Sequence, residues 1–131
     1  RASRNALKHG LNVSIRHEPG ASEKIEHLAA AIACDGPTPQ RMQAARDIAE
    51  VYLELRRVQQ YKLTLIESEA TKLHATATDD HGADPTEQVT YKYAQAYLQA
   101  LSALSKVERY ERRVLSRHRR ANRAYLIAAG E

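Results

Sequence analysis

Apolar residues recur every three or four positions along most of this chain, the repeat of an amphipathic helix. The clearest run is Tyr93, Tyr97, Leu101, Leu104, Val107, Tyr110, Val114, His118, Ala121 and Tyr125. An earlier run holds Ile48, Val51, Tyr52, Leu55, Val58, Leu65, Ile66 and Leu73. A third and shorter one is Ile25, Leu28, Ala29 and Ile32.

Stop and start signals divide these runs into elements. Glu18-Pro19-Gly20 breaks the chain, and a short helix over 21–34 follows with Ser22 as its expected cap. Asp35-Gly36-Pro37 ends it. Thr38 then caps a long helix over 38–75, with Pro39 at the first helical position, where its missing N–H costs nothing. A polar connector occupies 76–86, with Asp84 or Thr86 capping a second long helix over 87–129 that ends at Gly130.

Two long helices with apolar stripes and a short connector must fold back on each other. A turn centred near His81 aligns Ile48 with Val114, Tyr52 with Tyr110, Leu55 with Val107, Val58 with Leu104, and Leu65 with Tyr97. The predicted fold is therefore all-α. It is a long antiparallel, coiled-coil-like hairpin with the short helix packed at the end away from the connector, making three helices there. The same register brings Asp47, Glu50 and Glu54 towards Arg109, Arg112 and Arg113. Near the connector only two helices are available. Leu63, Ile66, Tyr91 and Leu98 look under-covered, which predicts a protein interface or self-association.

Composition agrees with this picture. The 131 residues hold no Trp or Phe, seven Tyr and many strong helix formers, and they fit one domain. Cys34 is alone, which fits a reducing compartment. No apolar run reaches membrane-spanning length, so no membrane association and a cytoplasmic location are expected. The chain opens on Arg1 and not Met, which leads us to expect a preceding segment.

The net charge is only +4, but it is segregated. Residues 1–17 carry four bases and no acid, and residues 105–125 carry eight bases against Glu108 and Glu111. Those two segments contain twelve of the twenty Lys and Arg residues, so the remainder is net acidic. Segregation of this kind points to a polyanionic partner. Residues 1–20 read as a basic arm, with Ser3 and Gly10 bounding a helical turn. On the last helix Arg109, Arg112, Arg119 and Arg123 lie opposite the apolar stripe, and Arg113, Arg117 and Arg120 flank it. Arginine forks match phosphate oxygens. The competing reading is a solvated face with internal ion pairs.

Candidate chemistry is sparse. Asp79, Asp80, His81 and Asp84, with His74 nearby, meet neither the ligand spacing of a calcium loop nor that of a zinc site. They read as a solvated, helix-capping loop. No glycine-rich phosphate loop and no nucleophile motif is present. No enzyme, no cofactor and no metal are expected. His118 and the stripe tyrosines read as core residues.

Three stretches carry a resemblance: Ser3-Arg4-Asn5-Ala6-Leu7-Lys8-His9-Gly10-Leu11, then Leu55-Arg56-Arg57-Val58, then Arg109-Tyr110-Glu111-Arg112-Arg113 with Arg117, Arg120 and Ala121. Together they resemble a family of small helix-rich bacterial proteins with an N-terminal SxNAxKHGL motif. The Gly- and Lys-containing segment that usually precedes that motif is absent here. The NALKHG portion is also similar to phage terminase small-subunit-like proteins, which bind DNA. The resemblance implies that the arm is a deliberate element, and it brings no activity with it.

The function expected from these features is non-enzymatic nucleic-acid binding, as an accessory of a mobile element or nucleoprotein assembly. Arg4, Lys8 and His9 of the arm, with Arg109, Arg112, Arg113, Arg119, Arg120 and Arg123, would contact phosphates of DNA or RNA. Neutralising ~6 phosphates gives a log–log salt slope near −5 for duplex DNA. The alternative is a helical adaptor or structural subunit that binds protein through Leu63, Ile66, Tyr91 and Leu98.

Overall fold

A computed structural model of the protein describes residue 11, residues 13–76 and residues 84–130. A single turn of 3-10 helix, Ile15–His17, precedes three α-helices: α1 (Ala21–Ala33), α2 (Pro39–Thr76) and α3 (Pro85–Ala128). No strand occurs among the described residues. The two long helices pack against each other as a hairpin, the architecture expected from their paired stripes.

The helix ends follow the sequence closely, with one exception. Thr38 Oγ1 accepts the backbone N–H of Arg41 at 3.1 Å, and Pro39 is the first residue of α2. Asp84, not Thr86, caps α3, its carboxylate accepting the Thr86 N–H at 3.4 Å. Helix α1 starts before Ser22, which therefore does not cap it. Gly20, at φ +73°, is the capping residue and supplies no side-chain acceptor. The Glu18-Pro19-Gly20 turn itself delivers the chain into the helix, with the Ala21 N–H bonded to the Glu18 carbonyl. Cys34 closes α1 at a positive φ, +61°, its N–H bonded to the Ala30 carbonyl at 3.2 Å.

The chain forms two compact units. The first comprises Arg1–Val58 and Glu111–Glu131. Here α1 and the start of α2 pack through alanines, and Ala29, Ala33, Ala45 and Ala49 are all fully buried. Ile15 and Ile25 complete that cluster, and Leu28, Ile32, Met42, Leu53 and Tyr125 close over it. Tyr125 of α3 donates its hydroxyl to the Ile32 carbonyl at 2.9 Å and accepts from Arg41 Nε at 3.3 Å. The three-helix end expected from the length of α1 is therefore present.

Of the expected arm, the described residues dock on the fold. Residues 1–10 and residue 12 lie outside the described residues, but Leu11 and Ile15 are buried. Arg57 of α2 holds this entry segment. Its Nη2 donates to the carbonyls of Leu11 at 3.1 Å and Val13 at 2.8 Å, and its Nη1 donates to Glu18 at 3.3 Å. Arg16 donates through Nε and Nη2 to one oxygen of Glu50, at 2.9 and 2.7 Å. An apolar residue at every second position from Leu11 to Ile15 was the available sign of docking.

The second unit is Gln59–Tyr110. Its buried residues are mostly small: Ala70, Ala96 and Ala100, with Leu104 and Val107. Tyr93, Tyr97 and Leu101, expected in the seam, are exposed. Ala96 and Ala100 stand there in their place. Small residues let two helices approach closely, and the tyrosines stay at the edge with their hydroxyls in water. Tyr52, in the first unit, is exposed as well. The expectation had given the large residues the seam because hydrophobicity alone does not weigh the space between helices.

Candidate nucleic-acid interface

The second half of α3 presents two faces because its residues are sorted at helical spacing. Val114 and Ala121 are buried, and Tyr125 is partly so. His118 lies on this side, half-buried, its Nδ1 3.4 Å from the Asn122 amide. On the other side Arg112, Arg113, Arg119, Arg120 and Arg123 are all exposed. At 100° per residue these five fall within about a third of the helix circumference. Along the axis they extend over roughly 16 Å.

None of these five forms an ion pair within the described residues. The acidic residues expected to neutralise them are engaged differently. Glu54 is almost completely buried, at 3% exposure, and its Oε2 accepts from Arg117 Nη1 at 2.7 Å. The expected register sets position 54 opposite 108, beside Arg109, and Arg117 lies two helical turns beyond that. Glu50 is taken by Arg16 from the entry segment. Hydrogen bonding to Glu50, and then its charge, holds the Arg16 guanidinium above the usual arginine range. Asp47 accepts from the Gln43 side chain at 3.0 Å.

Beside the face lies an open cleft of about 500 Å³ floored by Val51 and Ala121. Asp47 and Glu50 rim it from α2, and Arg117 and Arg120 from α3. Its opposed charges are those of a solvated groove between packed helices, and no polar side chain in it is buried without a partner.

Arg109 precedes this group on α3 and is exposed too, within the second unit. Arg4, Lys8 and His9 lie outside the described residues, as do Asp79, Asp80 and His81 of the connector. Leu63, Tyr91 and Leu98 are strongly exposed, at 59%, 66% and 65%, whereas Ile66 is half-buried. Among the described residues no helix is long and apolar enough to cross a membrane.

The fold and this surface define a helical hairpin bearing an exposed arginine face without an ion pair among the described residues. The chain matches no family model, no curated protein and no solved structure.

Proposed function

We propose that the protein binds nucleic acid through Arg112, Arg113, Arg119, Arg120 and Arg123. The observation carrying this reading is that these guanidinium groups share one exposed face without an acidic partner among the described residues. Arginine forks suit phosphate oxygens, and a helix presenting several in a row can follow a phosphate backbone. Binding of this kind is electrostatic and weakly selective for sequence. Phosphates are common to DNA and RNA, so both are ligands of the proposed site.

The test is a salt titration of affinity for a 24-base-pair duplex and for a single strand of the same sequence. Five to six neutralised phosphates correspond to a duplex slope of about −5. The slope should flatten when Arg112, Arg119 and Arg123 are changed to Glu. Salt-independent binding, or none, overturns the proposal.

A second reading rests on a different observation. Leu63, Tyr91 and Leu98 are large apolar side chains left open to solvent on the second unit. Such surfaces mark protein interfaces. The protein would then act as a helical adaptor or structural subunit, and charging Leu98 would abolish its complex while leaving nucleic-acid affinity intact.

A further inference from the structure

The exposed apolar residues of the second unit are ordered along α3. Tyr91, Ala94, Leu98, Leu101 and Ser105 follow one another in steps of three and four, so they share one side of the helix. This is a second stripe, distinct from the buried Ala96, Ala100, Leu104 and Val107. All five are exposed or partly exposed, with Tyr91 and Leu98 the most open of the large ones. A seven-residue repeat of this kind is the seam of a helix pair. The seam is unfilled within the described residues.

What fills it is written in the symmetry of the stripe about Leu98. Tyr91 and Ser105 stand seven residues before and after it, and Glu87 and Arg109 stand eleven before and after. Ala94 and Leu101 are four before and three after. Two antiparallel copies related by a two-fold axis at Leu98 therefore set large against small. Tyr91 covers Ser105, Leu101 fills the space over Ala94, and the two Leu98 side chains meet on the axis. At each end Glu87 faces Arg109. Glu87 and Arg109 lie on the same side of α3 as the stripe. A patch complementary to itself under a two-fold is what an isologous dimer requires.

We infer that this face of α3 is the docking surface for a second copy of the same chain, packed antiparallel about Leu98. The inference is independent of nucleic-acid binding. It gives the exposed apolar surface a partner whose charges and side-chain sizes match it. The contact spans about 33 Å of helix between Glu87 and Arg109 and is narrow. A weak, reversible dimer is expected, with dissociation in the range of roughly 1–100 µM.

Sedimentation equilibrium of the full chain across that range tests it, beside variants checked for helix content. Leu98→Glu should weaken association at least tenfold. Glu87→Arg and Arg109→Glu should each weaken it, and the two together should restore it. Register is read by cross-linking in a Cys34→Ser background. Leu98→Cys should oxidise to a covalent dimer. Tyr91→Cys should cross-link when mixed with Ser105→Cys but not with itself. A chain that stays monomeric throughout overturns the inference. So does a dimer indifferent to Leu98→Glu, or a Tyr91→Cys protein that links to itself.

Discussion

The Arg117 guanidinium lies 2.7 Å from a Glu54 carboxylate that is almost wholly inside the protein. The two ends of this bond live in different surroundings, because the Arg117 side chain is 42% exposed. Removing the arginine strands a buried acceptor, whereas removing both groups does not. Arg117→Ala is expected to cost about 1–3 kcal/mol in urea unfolding. The double variant Glu54→Leu with Arg117→Leu should recover most of that loss. Equal losses in the single and double variants would show that the pair carries no coupling.

Arg57 ties the entry segment to α2 through two carbonyls and one carboxylate. Lysine keeps the charge but lacks the fork that reaches Leu11, Val13 and Glu18 together. Arg57→Lys should therefore cost about 1–3 kcal/mol. Amide exchange over residues 13–18 should accelerate more than in the α1 core. Uniform acceleration throughout the protein would argue against a local clamp.

The arginines of α3 should divide by role. Changing Arg112, Arg119 or Arg123 singly to Ala should lower the magnitude of the duplex salt slope by about 0.9 each. Stability should stay within about 0.5 kcal/mol, because these side chains are exposed and form no ion pair among the described residues. Arg117→Ala should do the reverse, unsettling the fold while changing the slope little. Competition binding across a salt series, paired with urea melts, separates the two groups.

Burial pushes the Tyr61 hydroxyl above the ordinary tyrosine range near 10. The folded chain thus keeps this proton at a pH where the unfolded chain has released it. Below pH ~10 both states hold it and the effect vanishes. As pH rises beyond that value the unfolded state gains, and stability falls until the folded group ionises too. Thermal melts from pH 9 to 11 should fall less steeply for Tyr61→Phe than for the parent. Identical slopes would mean that other groups govern the alkaline limb.

Much of this architecture was readable because helix punctuation is local. Thr38 with Pro39, and Asp84 with Pro85, mark their helices within two residues, and the structure uses both caps. The hairpin followed from stripe length alone. What escaped the reading depended on distances between elements. Ala96 and Ala100 carry little hydrophobic signal, so the tyrosines beside them drew the seam towards themselves. Nothing in the sequence around Arg57 marks its role, and only the fold brings the carbonyls of Leu11 and Val13 to it. The arginine face was legible because it faces water and needs no partner from elsewhere in the chain. The pairing of Glu54 with Arg117 differs from the expected register by more than two helical turns, since apolar stripes repeating every three or four residues fit several registers.

Where α1 meets α2, Ala29, Ala33, Ala45 and Ala49 leave no accessible surface. An interior of methyl groups gains little from each side chain's transfer out of water. It depends instead on many short-range contacts between closely spaced backbones. Such a joint tolerates errors of volume poorly: Ala45→Leu is more hydrophobic and yet has nowhere to go. The larger members of the cluster, Ile15 and Ile25, lie beside the alanines, so the space at this joint is set by the four methyl groups.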